Sequence, residues 1–297
     1  MALASKVAVN PLPWVLGPDG FDLSPTTVRA AVAGIADAGF TAMHSDVPEQ
    51  WSAAEYRAVL ADHGVRPAPG YFGAYFDVPV DELPALVEAA KAHAGVQLEL
   101  GLSEVFLASH LSPERIASPA VGADFDASRL ELVIERIALV AGAITAEGLT
   151  PCFHPHVGSW IETEHEVRAM LDTIDASVLS FGPDTGHLFW GGSDPAALVG
   201  DYADRVGAVH LKDVHRVAAA TARDQQDDYM AATTVEHVWT EPGRGDVDFE
   251  AVFAALPATY DGWFVVEVDV PDLPSKEEST AASFRWITEQ PEQAGSA

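Results

Sequence analysis

A single cysteine, Cys152, stands in 297 residues, which excludes an internal disulfide and a cysteine-based zinc cluster. It sits in the apolar stretch LTPCF and reads as a buried, inert thiol. Basic residues are also scarce: 16 Lys and Arg against 45 Asp and Glu leave a formal net charge of −29. Such a surface repels nucleic acid and anionic membranes, and a phosphate pocket would want more cations than the chain offers. No apolar run approaches the ~20 residues of a bilayer span. The opening MALASKVAVNPLPW lacks the apolar core and small-residue cleavage site of a secretory signal, so a cytoplasmic protein is expected. After the first strand VNPLPW stands where a dinucleotide fold would carry its glycine fingerprint, which disfavours a doubly wound sheet.

What is present is alternation. KVAVN, TAMHS, VRPAPGYFGAY, EVFLASH, LTPCFHPH, VLSFGPDTGH, VGAVHLKD and WFVVEVDV read as eight strands. Between them lie longer amphipathic, alanine-rich segments with Ser or Asp caps, a first-turn proline and closing glycines. Eight βα units in a chain of this length predict an α/β fold, a (β/α)8 barrel over residues 1–290 with a polar tail at 291–297. Two connections, after strands four and seven, are too long for simple turns and are expected to cover the C-terminal mouth.

In such a barrel the chemistry lies at the C-terminal strand ends. Strand five ends in FHPH, where His154 and His156 are two apart and would share a face. Strand six ends at Asp184 with His187 just beyond, strand seven at His210, Lys212 and Asp213, and strand eight at Glu267 and Asp269. Glu267 follows an unbroken apolar run, so its carboxylate must be paired. Asp184 could instead be a plain turn or helix cap, and the glycines around Arg244 a plain turn. His63 and His93, late in helices, read as surface residues, and His110 ends strand four with no obvious partner. Imidazole and carboxylate together offer the N and O donors that suit a divalent ion, so an open metal site at this mouth is expected.

FHPHVGSWIETEHEV, DTGHLFWGGSDPAAL, VGAVHLKDVH, EPGRGDVDFEAV and YDGWFVVE, taken in order, resemble the sugar phosphate isomerase/epimerase superfamily of xylose isomerase-like TIM barrels, and within it the inosose dehydratase family. The resemblance implies one divalent metal, Mn2+ first and Co2+, Mg2+ or Zn2+ next, held by His154, Asp184, His210 and Glu267. It further implies that His156 and His187 face substrate hydroxyls, that Arg216 lies near the substrate, that Lys212 stands behind the strand-seven ligand, and that the chain assembles as a homo-oligomer. Ketose epimerases of the superfamily carry glutamate where His154 stands, which speaks against two-base epimerisation. The stretches HSDVPEQW and VDVPD depart from the dehydratase pattern and would reshape the pocket.

The implied activity is a lyase that removes water from a small cyclic keto-polyol, with ketose isomerisation as the alternative and a metal-retaining binding subunit as a second. Glu267 or His156 would take the proton beside the ketone, and His187 or Lys212 would assist the departing hydroxyl. Trp160, Trp190, Trp14 and Phe72 are candidates to wall the pocket, and Arg244 to reach the substrate if its loop closes.

Overall fold

Eight short apolar runs form parallel strands: β1 (Val7–Val9), β2 (Ala42–His44), β3 (Arg66–Ala68 and Tyr71–Ala74), β4 (Glu104–Ser109), β5 (Thr150–Phe153), β6 (Ser180–Phe181), β7 (Ala208–Leu211) and β8 (Trp263–Val266). This is a computed structural model that describes residues 6–17 and 20–290; the tail expected at 291–297 lies outside the described residues. Each strand pairs with the next, and β8 returns to β1 with Val7 opposite Phe264 and Val9 opposite Val266. Proline 69 and Gly70 split β3, whose first half pairs with β2 and second half with β4. Between β6 and β7 the ladder thins to single bridges, Phe181 to Val206 and Asp184 to His210, supported by the Gly207 and His210 N–H groups on the carbonyls of Phe181 and Pro183.

Strand alternation decides what fills the barrel. Ala8, Ala42, Ala68, Cys152 and Ala208 pack together with Phe106, Trp263 and Val265 in one buried cluster. Small residues on most strands leave room for the few large rings, as a narrow barrel requires. The outward residues of the same strands pack under the helices in two larger clusters.

The helices begin and end where the chain signals them. Ser24 caps Pro25–Ala38 and Gly39 closes it at φ 108°, a left-handed position that suits glycine. Ser52 and Glu55 form a capping box on Ala53–Asp62, and Thr163 and Glu166 another on Glu164–Thr173. Asp126 caps the long helix Ala127–Ala146, whose apolar face is buried against the barrel. Among the described residues no helix is long and apolar enough to cross a membrane.

Two expected boundaries shift. Strand five stops at Phe153, before His154, because Pro155 has no N–H to continue the ladder. Strand six is only Ser180–Phe181, since Pro183 interrupts it and Asp184 already caps the helix Thr185–Trp190. The long connections are folded: Pro113–Ala117 lies in the first, and Arg216–Gln225 and Tyr229–Thr234 in the second. They share a small core of their own around Tyr229, Trp239, Trp190, Val157 and Ala120.

Candidate functional site

The residue two places beyond each inward-facing strand residue points into the barrel one layer higher. Above Ala8, Ala42, Cys152, Ala208 and Val265 this rule places Asn10, His44, His154, His210 and Glu267, and Lys212 follows His210. His154, His210, Lys212 and Glu267 are all buried, and Asp184 joins them from the β6 side.

The cluster is tight. His154 Nε2 lies 3.3 Å from Asp184 Oδ2, and His210 Nδ1 lies 3.1 Å from Glu267 Oε2 and 3.7 Å from Asp184 Oδ2. The Lys212 ammonium stands 2.6 Å from Glu267 Oε1, 2.8 Å from Asp269 Oδ1, 3.5 Å from Asp184 Oδ2 and 3.0 Å from His187 Nε2. Donor atoms of His154, Asp184, His187 and Glu267 come within 4.8 Å of one another. His187 stands in this group because helix Thr185–Trp190, capped by Asp184, brings it back beside that carboxylate.

These residues fit a divalent ion. Both ring nitrogens of His154 and of His210, and Oδ2 of Asp184, are buried without a hydrogen bond in spite of the short approaches. Buried polar atoms are ordinarily satisfied, and such a set needs an occupant. Three carboxyl groups, of Asp184, Glu267 and Asp269, face one ammonium, so charge balance also asks for further positive charge. All donors are N or O.

The motif DTGH is explained residue by residue. The Asp184 carboxylate does two things at once: Oδ1 accepts the His187 N–H at 2.8 Å as a helix cap, and Oδ2 faces the cluster. Thr185 Oγ1 accepts the Lys212 N–H at 2.9 Å and donates to the Lys212 carbonyl at 2.7 Å. Gly186 leaves space for the lysine stem, since a Cβ there would meet Lys212 Cγ at 2.7 Å. His187 Nδ1 lies 3.2 Å from the Val157 N–H and Nε2 3.0 Å from the Lys212 ammonium, so each ring nitrogen faces a donor.

Burial would raise the Asp184 carboxyl, but the Lys212 charge and His154 hold it below its ordinary value. Lys212 is buried too, yet Asp184, Asp269 and Glu267 hold it well above its ordinary range, so it is an ammonium. Burial pushes Asp269 up to about 6, against the pull of Lys212. Burial, next to other imidazoles and Lys212, keeps His187 and His210 neutral. His156 is pushed down to about 3, mainly by burial and then by Lys212. It is nonetheless partly exposed, whereas His44, His154, His187 and His210 are fully buried. His156 Nδ1 sits 2.6 Å from the Val157 carbonyl, so Nδ1 carries the proton and the Nε2 lone pair is free.

The other expected site residues are placed less centrally. Arg216 is exposed with its guanidinium over the Phe189 ring at 4.5 Å. Arg244 is 48% exposed, near Glu241 and Asp272. Its loop is held by Asp213, whose carboxylate accepts the N–H groups of Gly243, Gly245 and Val247 at 2.9, 2.9 and 3.0 Å, so the glycines serve a turn. Trp160 donates to Asp77 at 3.0 Å and lies under the Arg129 guanidinium. Trp14 reaches outward to Gly34 and Thr280, and Phe72 packs on His93, which is half-buried. Trp190 belongs to the small core above the mouth. His110 is exposed against Tyr75.

Three residues escaped the sequence reading. Asn10 donates to Glu267 Oε2 at 2.5 Å, and His44 faces His210 with ring centroids 6.0 Å apart. Both end strands, and applying the strand-end rule to β1 and β2 as well as β5–β8 would have found them. Glu162, in WIET, is buried, accepts the N–H groups of Ala120, Gly122 and Gly158, and pairs with the equally buried Arg115 at 2.9 Å. Gly158 is its one near partner in sequence among these; Arg115, Ala120 and Gly122 come from the connection after strand four.

Residues 32–290 match the protein family described as Xylose isomerase-like TIM barrel. The inosose dehydratase of Geobacillus thermodenitrificans is 27% identical over 271 residues, 89% of each chain. The rhizopine catabolism protein MocC of Rhizobium meliloti is 30% identical over 281 residues, 90% of this chain and 82% of its own. A xylose isomerase-like TIM barrel protein from Mycobacterium smegmatis, solved in complex with magnesium, superposes with a TM-score of 0.69 at 18% identity and 97% coverage of both chains.

Proposed function

We propose that this chain, which belongs to the xylose isomerase-like TIM barrel family, is a metal-dependent lyase that removes water from a cyclic keto-polyol, 2-keto-myo-inositol first among them. The observation that carries the reading is the buried set of unpartnered His154, His210 and Asp184 atoms beside a lysine held as ammonium, at the mouth of a barrel related to inosose dehydratases. His154, Asp184 and Glu267 would hold the ion, with His210 or His187 as fourth ligand. A divalent ion there, Mn2+ by preference, supplies the Lewis acid that polarises the ketone.

The four candidates for proton transfer are not equivalent. Glu267 is engaged by Asn10 and Lys212, whereas His156 keeps a free Nε2 and is the mouth imidazole open to a substrate. His156 therefore takes the proton from the carbon beside the ketone. The electron pair left on that carbon forms the new C=C bond as the bond to the β-hydroxyl breaks. Lys212 gives that hydroxyl a proton, water leaves, and the proton on His156 returns Lys212 to ammonium through solvent. His187, kept neutral by burial, lies against His156 and faces a substrate hydroxyl. The strongly acidic chain agrees with an uncharged polyol as substrate.

Proton NMR in D2O on the Mn2+-loaded protein, with 2-keto-myo-inositol beside a panel of free ketoses, tests this. An enedione product that vanishes in Asp184→Ala is the expected result. Deuterium exchange or epimers from a ketose without elimination would replace the lyase by an isomerase.

A further inference from the structure

Strands β1 and β2, next to the β8 strand that leads to Glu267, also end in buried polar groups. Val9 stands opposite both Val266 and Met43 in the ladders, so the next residues, Glu267, Asn10 and His44, lie side by side across β8, β1 and β2. Their inward predecessors Val265, Ala8 and Ala42 pack in the barrel interior, so all three side chains point up into the same mouth. Asn10 is 6% exposed and His44 1%. Asn10 spends its amide N–H on Glu267 Oε2, and its Oδ1 has no partner. His44 has Nε2 3.7 Å from Asp46 Oδ2, and its Nδ1 has no partner either.

Buried polar atoms are ordinarily hydrogen-bonded, and two left without a partner side by side at the barrel mouth are explained by a ligand that bonds them. Their chemistry limits that ligand. Asn10 Oδ1 only accepts, and the adjacent Glu267 is a carboxyl group, so a phosphate or carboxylate would be repelled here. A hydroxyl donates to Oδ1 and meets the imidazole in either role. We propose that Asn10 and His44 form the hydroxyl-recognising edge of the pocket, binding neighbouring hydroxyls of the ring beside Glu267. This rests on the keto-polyol reading and adds to it the part of the chain that selects the hydroxyl pattern. Asn10 has a second duty, orienting Glu267, so His44 is the cleaner residue to test.

Calorimetric binding of myo-inositol, which has the hydroxyls but no ketone to react, is compared for the Mn2+-loaded native protein, His44→Leu and His44→Asn, alongside KM and kcat for 2-keto-myo-inositol and Mn2+ affinity by electron paramagnetic resonance. His44→Leu is expected to raise the myo-inositol Kd and the KM about tenfold, one lost hydrogen bond, with a smaller fall in kcat and Mn2+ affinity retained. His44→Asn, whose amide reaches the Nδ1 position, is expected to recover most of the loss. Unchanged Kd and KM in His44→Leu overturn the proposal, and so does a parallel loss of Mn2+ affinity and melting temperature, which would make His44 a support of the cluster. If the native protein binds myo-inositol but leaves the ketone untouched, the lyase reading fails while the His44 comparison still decides the hydroxyl edge. If it binds no polyol, both fall.

Discussion

Replacing Lys212 by Met removes an ammonium and keeps the length of its apolar stem. In the native chain that ammonium lies within 3.5 Å of the carboxylates of Glu267, Asp269 and Asp184, all buried or nearly so. Taking one partner out of a buried ion pair costs about 3–5 kcal/mol, because the remaining charge is left uncompensated. At roughly 2 °C per kcal/mol for a chain of this size, the metal-free variant should melt about 6–10 °C below the native protein. A divalent ion and Lys212 share the same carboxylates, so Mn2+ should stabilise Lys212→Met more than it stabilises the native protein and recover much of the deficit. Scanning calorimetry in EDTA and in millimolar Mn2+ reads both quantities, and turnover should be lost in either case. A variant that melts within 2 °C of the native protein in EDTA would refute the charge argument. Equal Mn2+ stabilisation of the two proteins would refute the shared-carboxylate geometry.

Burial holds His187 and His210 far below the usual imidazole range, while an unfolded chain protonates both near pH 6.5. The unfolded state then binds more protons, so metal-free stability should fall as pH drops below about 6.5, by up to about 1.4 kcal/mol per pH unit for each ring; urea unfolding at pH 7 and 5.5 checks the sign. Glu162→Gln leaves the shape but removes the charge that meets Arg115 and three backbone N–H groups; a loss of about 2–4 kcal/mol is expected, with a fall in kcat as the turn carrying His156 loosens, measured by unfolding and turnover. Cys152 is fully buried with its thiol pushed up by burial, so it should resist a chromogenic disulfide reagent in the native state and react at once in denaturant.

The order of elements and most of the cluster were legible along the chain. Period-two apolar runs, capped amphipathic helices and the rule that barrel chemistry lies at strand ends are all local, and they led to His154, Asp184, His187, His210, Lys212 and Glu267. Tertiary structure decided the rest, because it depends on groups brought together from far apart in sequence. Whether Asp184 was a cap or a site residue had no answer in GPDTGH; folded, one oxygen caps His187 and the other faces His154. Asn10 is 257 residues from Glu267, and only the return of β8 to β1 makes them neighbours. The motif leads to Arg216 near the substrate, and the fold adds that its guanidinium lies over Phe189. Strand period and helix caps are short-range, so the local pattern settles which residue types stand at the strand ends; which atoms meet, and which are left without a partner, follows only when the barrel closes.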